Sequence, residues 1–188
     1  GSLTTEGGAI VLRADDDADA NGTGGELAMT NGSEVSSGSG AITLTADGDI
    51  HVSRLVTTNN TATAITITST SGSLLDSGDG GSADIVATAD DAVVTVTTAT
   101  GIGATGNALE TDATTLVASV SGTGNVSIDA DEAITLRQVE TANGRINLIA
   151  GGTIHAQSID TSATDNNSND INLTTTTAGD ILVGSIVA

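Results

Sequence analysis

The densest group of residues able to do chemistry lies between Arg13 and Glu26, where the chain reads RADDDADANGTGGE. Asp17-Ala-Asp19-Ala-Asn21-Gly22 follows the first half of a calcium loop, in which alternate side-chain oxygens converge on one hard cation. Gly22 would allow the tight turn, and the backbone carbonyl of Thr23 stands where such loops add a ligand. The complete loop ends on a glutamate at its twelfth position, which here is Ala28; Glu26 stands at the tenth. The expectation is a one-ion surface calcium site built from Asp17, Asp19, Asn21, Thr23 and Glu26. The competing reading is an acidic, glycine-rich insertion between two strands, with no ion.

Other candidates are weaker. His51 and His155 each follow an isoleucine, Ile42 or Ile146, by nine residues, so they take the same slot in two similar segments. Their neighbours Ile50/Val52 and Ile154/Ala156 point inward on a strand, which sends both imidazoles to solvent. Four or five coils apart, roughly 19–24 Å, they cannot share a metal or a proton. Asp129, Asp131 and Glu132 bunch at one turn, and Asp90-Asp91 at another. Paired carboxylates about 5–9 Å apart can hydrolyse glycosides. With no aromatic residue to stack a sugar and no lysine, these read instead as solvated turn acids. The serines lack an ordered His/Asp partner set and sit in no nucleophile-elbow or phosphate-loop context. Catalysis is not expected.

The elements that would carry these residues are short strands in a repeat. GAITLTADGDIHVSRLVTT (Gly40–Thr58), GNVSIDADEAITLRQVETA (Gly124–Ala142), GRINLIAGGTIHAQSIDTS (Gly144–Ser162) and DINLTTTTAGDILVGSIVA (Asp170–Ala188) align by eye. Each is an alternating strand, a Gly/Asp turn, a second short strand and a third apolar pair. Alternation with period two marks strands with one buried face. The first strands give the triplets Ile10-Leu12-Ala14, Ile42-Leu44-Ala46, Ile65-Ile67-Ser69, Ile85-Ala87-Ala89, Val126-Ile128-Ala130, Ile146-Leu148-Ala150 and Ile171-Leu173-Thr175. Taken as one ladder, they predict an all-β parallel β-solenoid of seven to eight coils, about 20 residues each, without helices. On that ladder the outward pairs begin Thr43/Thr45, Thr66/Thr68 and Val86/Thr88. Two matching coils fall short of the repeated Thr-x-Thr rows that an ice-binding face needs.

Composition agrees with a narrow, regular interior. The chain has 188 residues, 24 glycines and 24 acids against four arginines, a formal charge of -20, and no Cys, Pro or aromatic residue. Stacked Ile, Val and Leu rows need no aromatics to fill irregular space. Proline would remove ladder donors, which fits its absence. The charge disfavours nucleic acid and anionic membranes, both polyanions. No stretch approaches the ~20 apolar residues of a helical membrane span.

The alternating Ile-x-Leu-x-Ala strand followed by a Gly-Asp-Ile turn, at Gly40–Thr58 and Gly144–Ser162, resembles filamentous-haemagglutinin-like giant bacterial repeat exoproteins. The segments Gly7–Gly25 and Gly101–Leu136 are similar to recurrent units of the same proteins. The resemblance implies a right-handed parallel β-helix, export through the bacterial envelope and an adhesive or fibre-forming role; it transfers no catalytic residue. The expectation is a single β-solenoid domain over residues 1–188, with a Gly/Asp-rich insertion near 15–26 and an irregular excursion near 101–123. It would be a non-catalytic, extracellular or cell-surface segment whose partners are neighbouring repeats or copies of itself end to end. A surface glycan or host ligand stays open. A calcium-dependent binding module is the alternative, and a polysaccharide-active β-helix enzyme a distant one.

Overall fold

Short aliphatic strands separated by glycine turns cannot bury their apolar faces alone, so each needs the coil above and the coil below. The computed structural model describes residues 1–15, 24–78, 81–163 and 169–188 and has that form. It is a β-solenoid of about seven turns of roughly 23 residues, with no helix among the described residues. One wall is an eight-stranded parallel sheet that runs Ile10–Ala14, Ile42–Ala46, Ile65–Ser69, Val93–Thr98, Thr115–Thr123, Ile134–Asn143, Ile154–Asp160 and Ile181–Val187.

The second sheet has twelve strands. In the early coils it forms two columns, one through Glu34–Ser36, Leu55–Val56 and Ile85–Ala87, the other through Ile50–Val52, Ser73–Asp76 and Gly101–Ile102. Both columns end on Val126–Ala130: Ile102 pairs with Val126, and Leu109 with Ile128. Ile146–Ala150 and Ile171–Thr175 continue as a single column. The coil therefore passes from three short sides to two longer ones along the stack.

Inward residues make one aliphatic core. Ile42, Leu44, Ile65, Ile67, Ile146 and Leu148 are fully buried, each stabilising the fold by about 1.5–3 kcal/mol relative to exposure. Where the backbone turns, small polar side chains satisfy buried carbonyls. Ser37 and Thr57 hydroxyls both donate to the Gly40 carbonyl, at 2.6 and 2.7 Å, and Thr141 donates to Gly124 at 2.7 Å. Successive coils touch at their turns. A methyl group at Gly144 would enter the van der Waals shell of the Gly124 carbonyl, so only glycine fits there.

The structure corrects the single ladder read from sequence. Ile10, Ile42 and Ile65 do stack, in the eight-stranded wall. The residues that continue that row are Val94, Leu116, Leu136, Ala156 and Val183. Ile85, Val126, Ile146 and Ile171 belong to the other sheet. The similar segments Gly40–Thr58 and Gly144–Ser162 thus begin on different walls. Period-two alternation looks the same on every side of a coil, so it fixes which face is buried but not which wall a strand joins.

Two further details differ. Residues 101–123, expected as an irregular excursion, contain strands Gly101–Ile102, Leu109–Ala113 and Thr115–Thr123; the departure is confined to 103–108. In the later coils the second strand and third apolar pair merge into one strand, Ile134–Asn143. A bulge lets them merge: Leu116 pairs with Leu136 but Val117 with Gln138, leaving Arg137 as the extra residue.

Candidate metal centre

Parallel in-register stacking places each outward residue beside its counterpart one coil away, so a charge repeated at one slot becomes a column. Backbone hydrogen bonds run from Leu55 N to Asp84 O and from Asp84 N to Glu110 O, and Glu110 pairs with Asp129. Arg54, Asp84, Glu110 and Asp129 therefore succeed one another along one column, with Asp84 itself fully buried. Arg54 is committed to Glu34, Nε to Oε2 at 3.2 Å, and donates to the Ala83 carbonyl at 3.3 Å. Next to it are three acids on adjacent coils, an arrangement that like-charge repulsion disfavours.

Asp76, at the end of strand Ser73–Asp76, joins this column. One carboxylate oxygen each of Asp76, Asp84 and Glu110 lie within 4.8 Å of one another. Asp84 is fully buried, Asp76 is 8% exposed and Glu110 is half-buried. Asp84 Oδ2 accepts the Glu110 N–H at 3.1 Å, and Asp76 Oδ1 accepts the Gly78 N–H at 2.6 Å. The set fits a hard cation. Calcium takes oxygen ligands at about 2.3–2.6 Å, so ligands on opposite sides of the ion stand about 4.6–5.2 Å apart. With neither His nor Cys among the three, the set offers nothing that favours zinc.

The field around the column is acidic. Burial raises the Asp129 carboxyl above its ordinary value, and neighbouring Asp131 raises it further. Asp112 is also raised, first by burial and then by Asp131 and Glu132, with Arg54 pulling the other way. Asp160 lies on the other wall and is lowered, because the Ser162 hydroxyl and N–H both donate to its Oδ1.

Of the calcium ligands expected from sequence, Asp17, Asp19, Asn21 and Thr23 lie outside the described residues. Glu26 is described: its Oε1 stands 3.6 Å from His51 Nε2, beside a shallow groove of about 360 Å³ lined by Gly24, Gly48, Asp49 and Gly72. His51 and His155 both face outward as expected, His51 half-buried and His155 exposed. Their shared slot is a property of sequence only, since His51 sits in the twelve-stranded sheet and His155 in the eight-stranded wall. Asp91, expected as a solvated turn acid, is exposed, and its N–H donates to Asn60 Oδ1 at 2.6 Å.

Sequence reasoning missed Asp76, Asp84 and Glu110. They are scattered along the chain, Asp76 and Glu110 on two strands and Asp84 just before a third, and the signal that could have found them is positional. Asp84 and Glu110 precede inward Ile85 and Thr111, which pair in register. No family model, curated protein or solved structure matches the chain.

Proposed function

We propose that the chain is a non-catalytic structural segment, a stalk, spacer or fibre repeat, of a secreted or cell-surface bacterial repeat protein. The observation that supports it best is the continuous stack of eight parallel strands on one aliphatic core, a form suited to holding length and stiffness. The resemblance of Gly40–Thr58 and Gly144–Ser162 to filamentous-haemagglutinin-like exoproteins supports the extracellular setting and the adhesive or fibre-forming context. Neighbouring repeats or further copies are the partners. On the last strand Ile181, Val183 and Ile186 are 40–56% exposed, while their counterparts Ile154, Ala156 and Ile159 one coil earlier are buried.

Electron microscopy of the purified chain tests this reading. The expected particle is a stiff rod, roughly 35 Å for seven turns at the ~4.8 Å strand spacing. Longer filaments should form as salt screens the charge of -20. Turnover of a polysaccharide, or compact particles with no rods at any salt, would overturn it.

A second reading is favoured by the Asp76–Asp84–Glu110 cluster: a binding module of an adhesin whose rigidity depends on calcium. There the cation would tie the strand ending at Asp76 to Asp84, just before strand Ile85–Ala87, and to the strand that carries Glu110.

A further inference from the structure

The observed register changes what the outer face of the eight-stranded wall presents. Thr43 pairs with Thr66 and Thr66 with Thr95; Thr45 pairs with Thr68 and Thr68 with Thr97. Three consecutive coils thus carry Thr-x-Thr in register, with inward Leu44, Ile67 and Val96 buried beneath. The next coil continues with Val117 and Ser119. Through these strands the pairing has no register shift, and the first bulge comes one coil later, at Arg137.

Three properties separate this face from the rest of the molecule. Its outward strand positions on this wall, from Thr43 to Ser119, carry no ionisable group, on a chain of formal charge -20; charge returns only at its two borders, where Arg13 pairs with Thr45 and Glu140 with Ser119. Its hydroxyls are also uncommitted. Turn threonines such as Thr57 and Thr141 donate to backbone carbonyls, whereas Thr43, Thr45, Thr66, Thr68, Thr95 and Thr97 make no side-chain hydrogen bond among the described residues. Finally, it is rigid, because a β-branched side chain on a strand has few χ1 choices and the backbone beneath is fixed by a strand on each side.

We infer that this face binds ice. Its hydroxyls form a two-dimensional net, about 4.7–4.9 Å between strands and about 6.6–6.8 Å along each strand. Ice is an uncharged, periodic array of O–H donors and acceptors with a repeat close to the strand spacing. A threonine offers it both a hydroxyl to join the array and a methyl group around which water orders. Ionised groups would hold water in a shell incompatible with that lattice, and the six threonines have none among them, Arg13 and Glu140 standing at the borders of the net. Side chains already held in place lose little freedom on docking, so the cost of ordering them is small. The inference is independent of the structural role proposed above, since rods with or without this property look the same.

Ice-affinity partitioning of the full chain tests it, with microscopy of ice recrystallisation as the second readout. Thr66→Lys with Thr68→Lys puts bulk and charge at the centre of the net. Asn147→Lys with Asn172→Lys makes the same charge change on the other sheet. The expected result is that wild type and the Asn147/Asn172 pair concentrate in growing ice and keep its crystals small. The Thr66/Thr68 pair should lose both effects while keeping a wild-type circular dichroism spectrum. Wild type excluded from ice like a non-binding control protein would overturn the inference whatever the variants do. Retention of activity by the folded Thr66/Thr68 pair would also overturn it.

Discussion

Replacing Asp84 by Asn removes one charge from the Asp76–Asp84–Glu110 cluster while keeping its shape, and the consequence depends on whether a cation belongs there. Extracellular oxygen-ligand sites hold calcium with Kd near 10⁻⁴–10⁻³ M, so about 10 mM calcium is a ten- to hundredfold excess. An ion that binds only the folded chain then adds about 1.4–2.7 kcal/mol of stability. For a chain of this length each kcal/mol moves the melting temperature by about 2–4 °C, giving a rise of about 3–11 °C. Scanning calorimetry in calcium chloride, and in sodium chloride at equal ionic strength, separates binding from screening of the -20 charge. Wild type should rise further in calcium than in sodium. Asp84→Asn should respond equally to both, and without divalent ions should melt at or above wild type, because stacked like charges are relieved. An undiminished calcium response in Asp84→Asn would refute the assignment. If that response instead disappears in Asp17→Ala with Asp19→Ala, the ion belongs to the Arg13–Glu26 stretch.

Two more predictions follow from the core and the acid column. Leu148 is fully buried between Ile128 and Leu173 of the adjacent coils; Leu148→Asp should cost several kcal/mol, while Asn147→Asp on the outer face should stay within about 0.5 kcal/mol, and equal melting temperatures for the two would refute the inward assignment. Asp112 and Asp129 have raised folded-state pKa values, so the folded chain binds more protons than the unfolded one just above the ordinary carboxyl value of 3.8, and stability falls as pH rises through that window. Asp112→Asn with Asp129→Asn should therefore melt higher than wild type at pH 7 and show a flatter decline from pH 4 to 7 in a calorimetric series; a lower melting temperature at pH 7 would count against it.

How much of this was legible in sequence can be judged position by position. The triplets Ile42-Leu44-Ala46 and Ile146-Leu148-Ala150 were read as inward, and each of these residues is buried. Aliphatic alternation is a local signal, and burial on one face of a strand is a local consequence. Wall membership is not local. It depends on how many residues each turn takes up, and the turns are Gly, Asp, Ser and Thr runs without periodicity. Ile65 and Ile85 look equivalent and are twenty residues apart, yet Ile65 stacks under Val94 and Ile85 stacks between Leu55 and Thr111. The acidic cluster was illegible for the same reason, since Glu110 lies in the stretch where the assumed ladder had lost its register.

One stretch of chain carries both consequences of that misreading. The turn from Ile65 to Val94 takes 29 residues, against 20 from Leu116 to Leu136 and from Leu136 to Ala156, and it includes the connection between strands Ser73–Asp76 and Ile85–Ala87. Had that turn kept twenty residues, Val86 and Thr88 would have stacked against Thr66 and Thr68, and the threonine net would have stopped at two coils. The longer path instead delivers Thr95 and Thr97 to those positions. It also brings the chain from Asp76 to Asp84, so that the carboxylates at its two ends meet beside Glu110. Coil length is thus the quantity that separates this solenoid from a plain repeat. The shorter coils supply length and a common core, while this longer one sets which side chains face each other on two different walls.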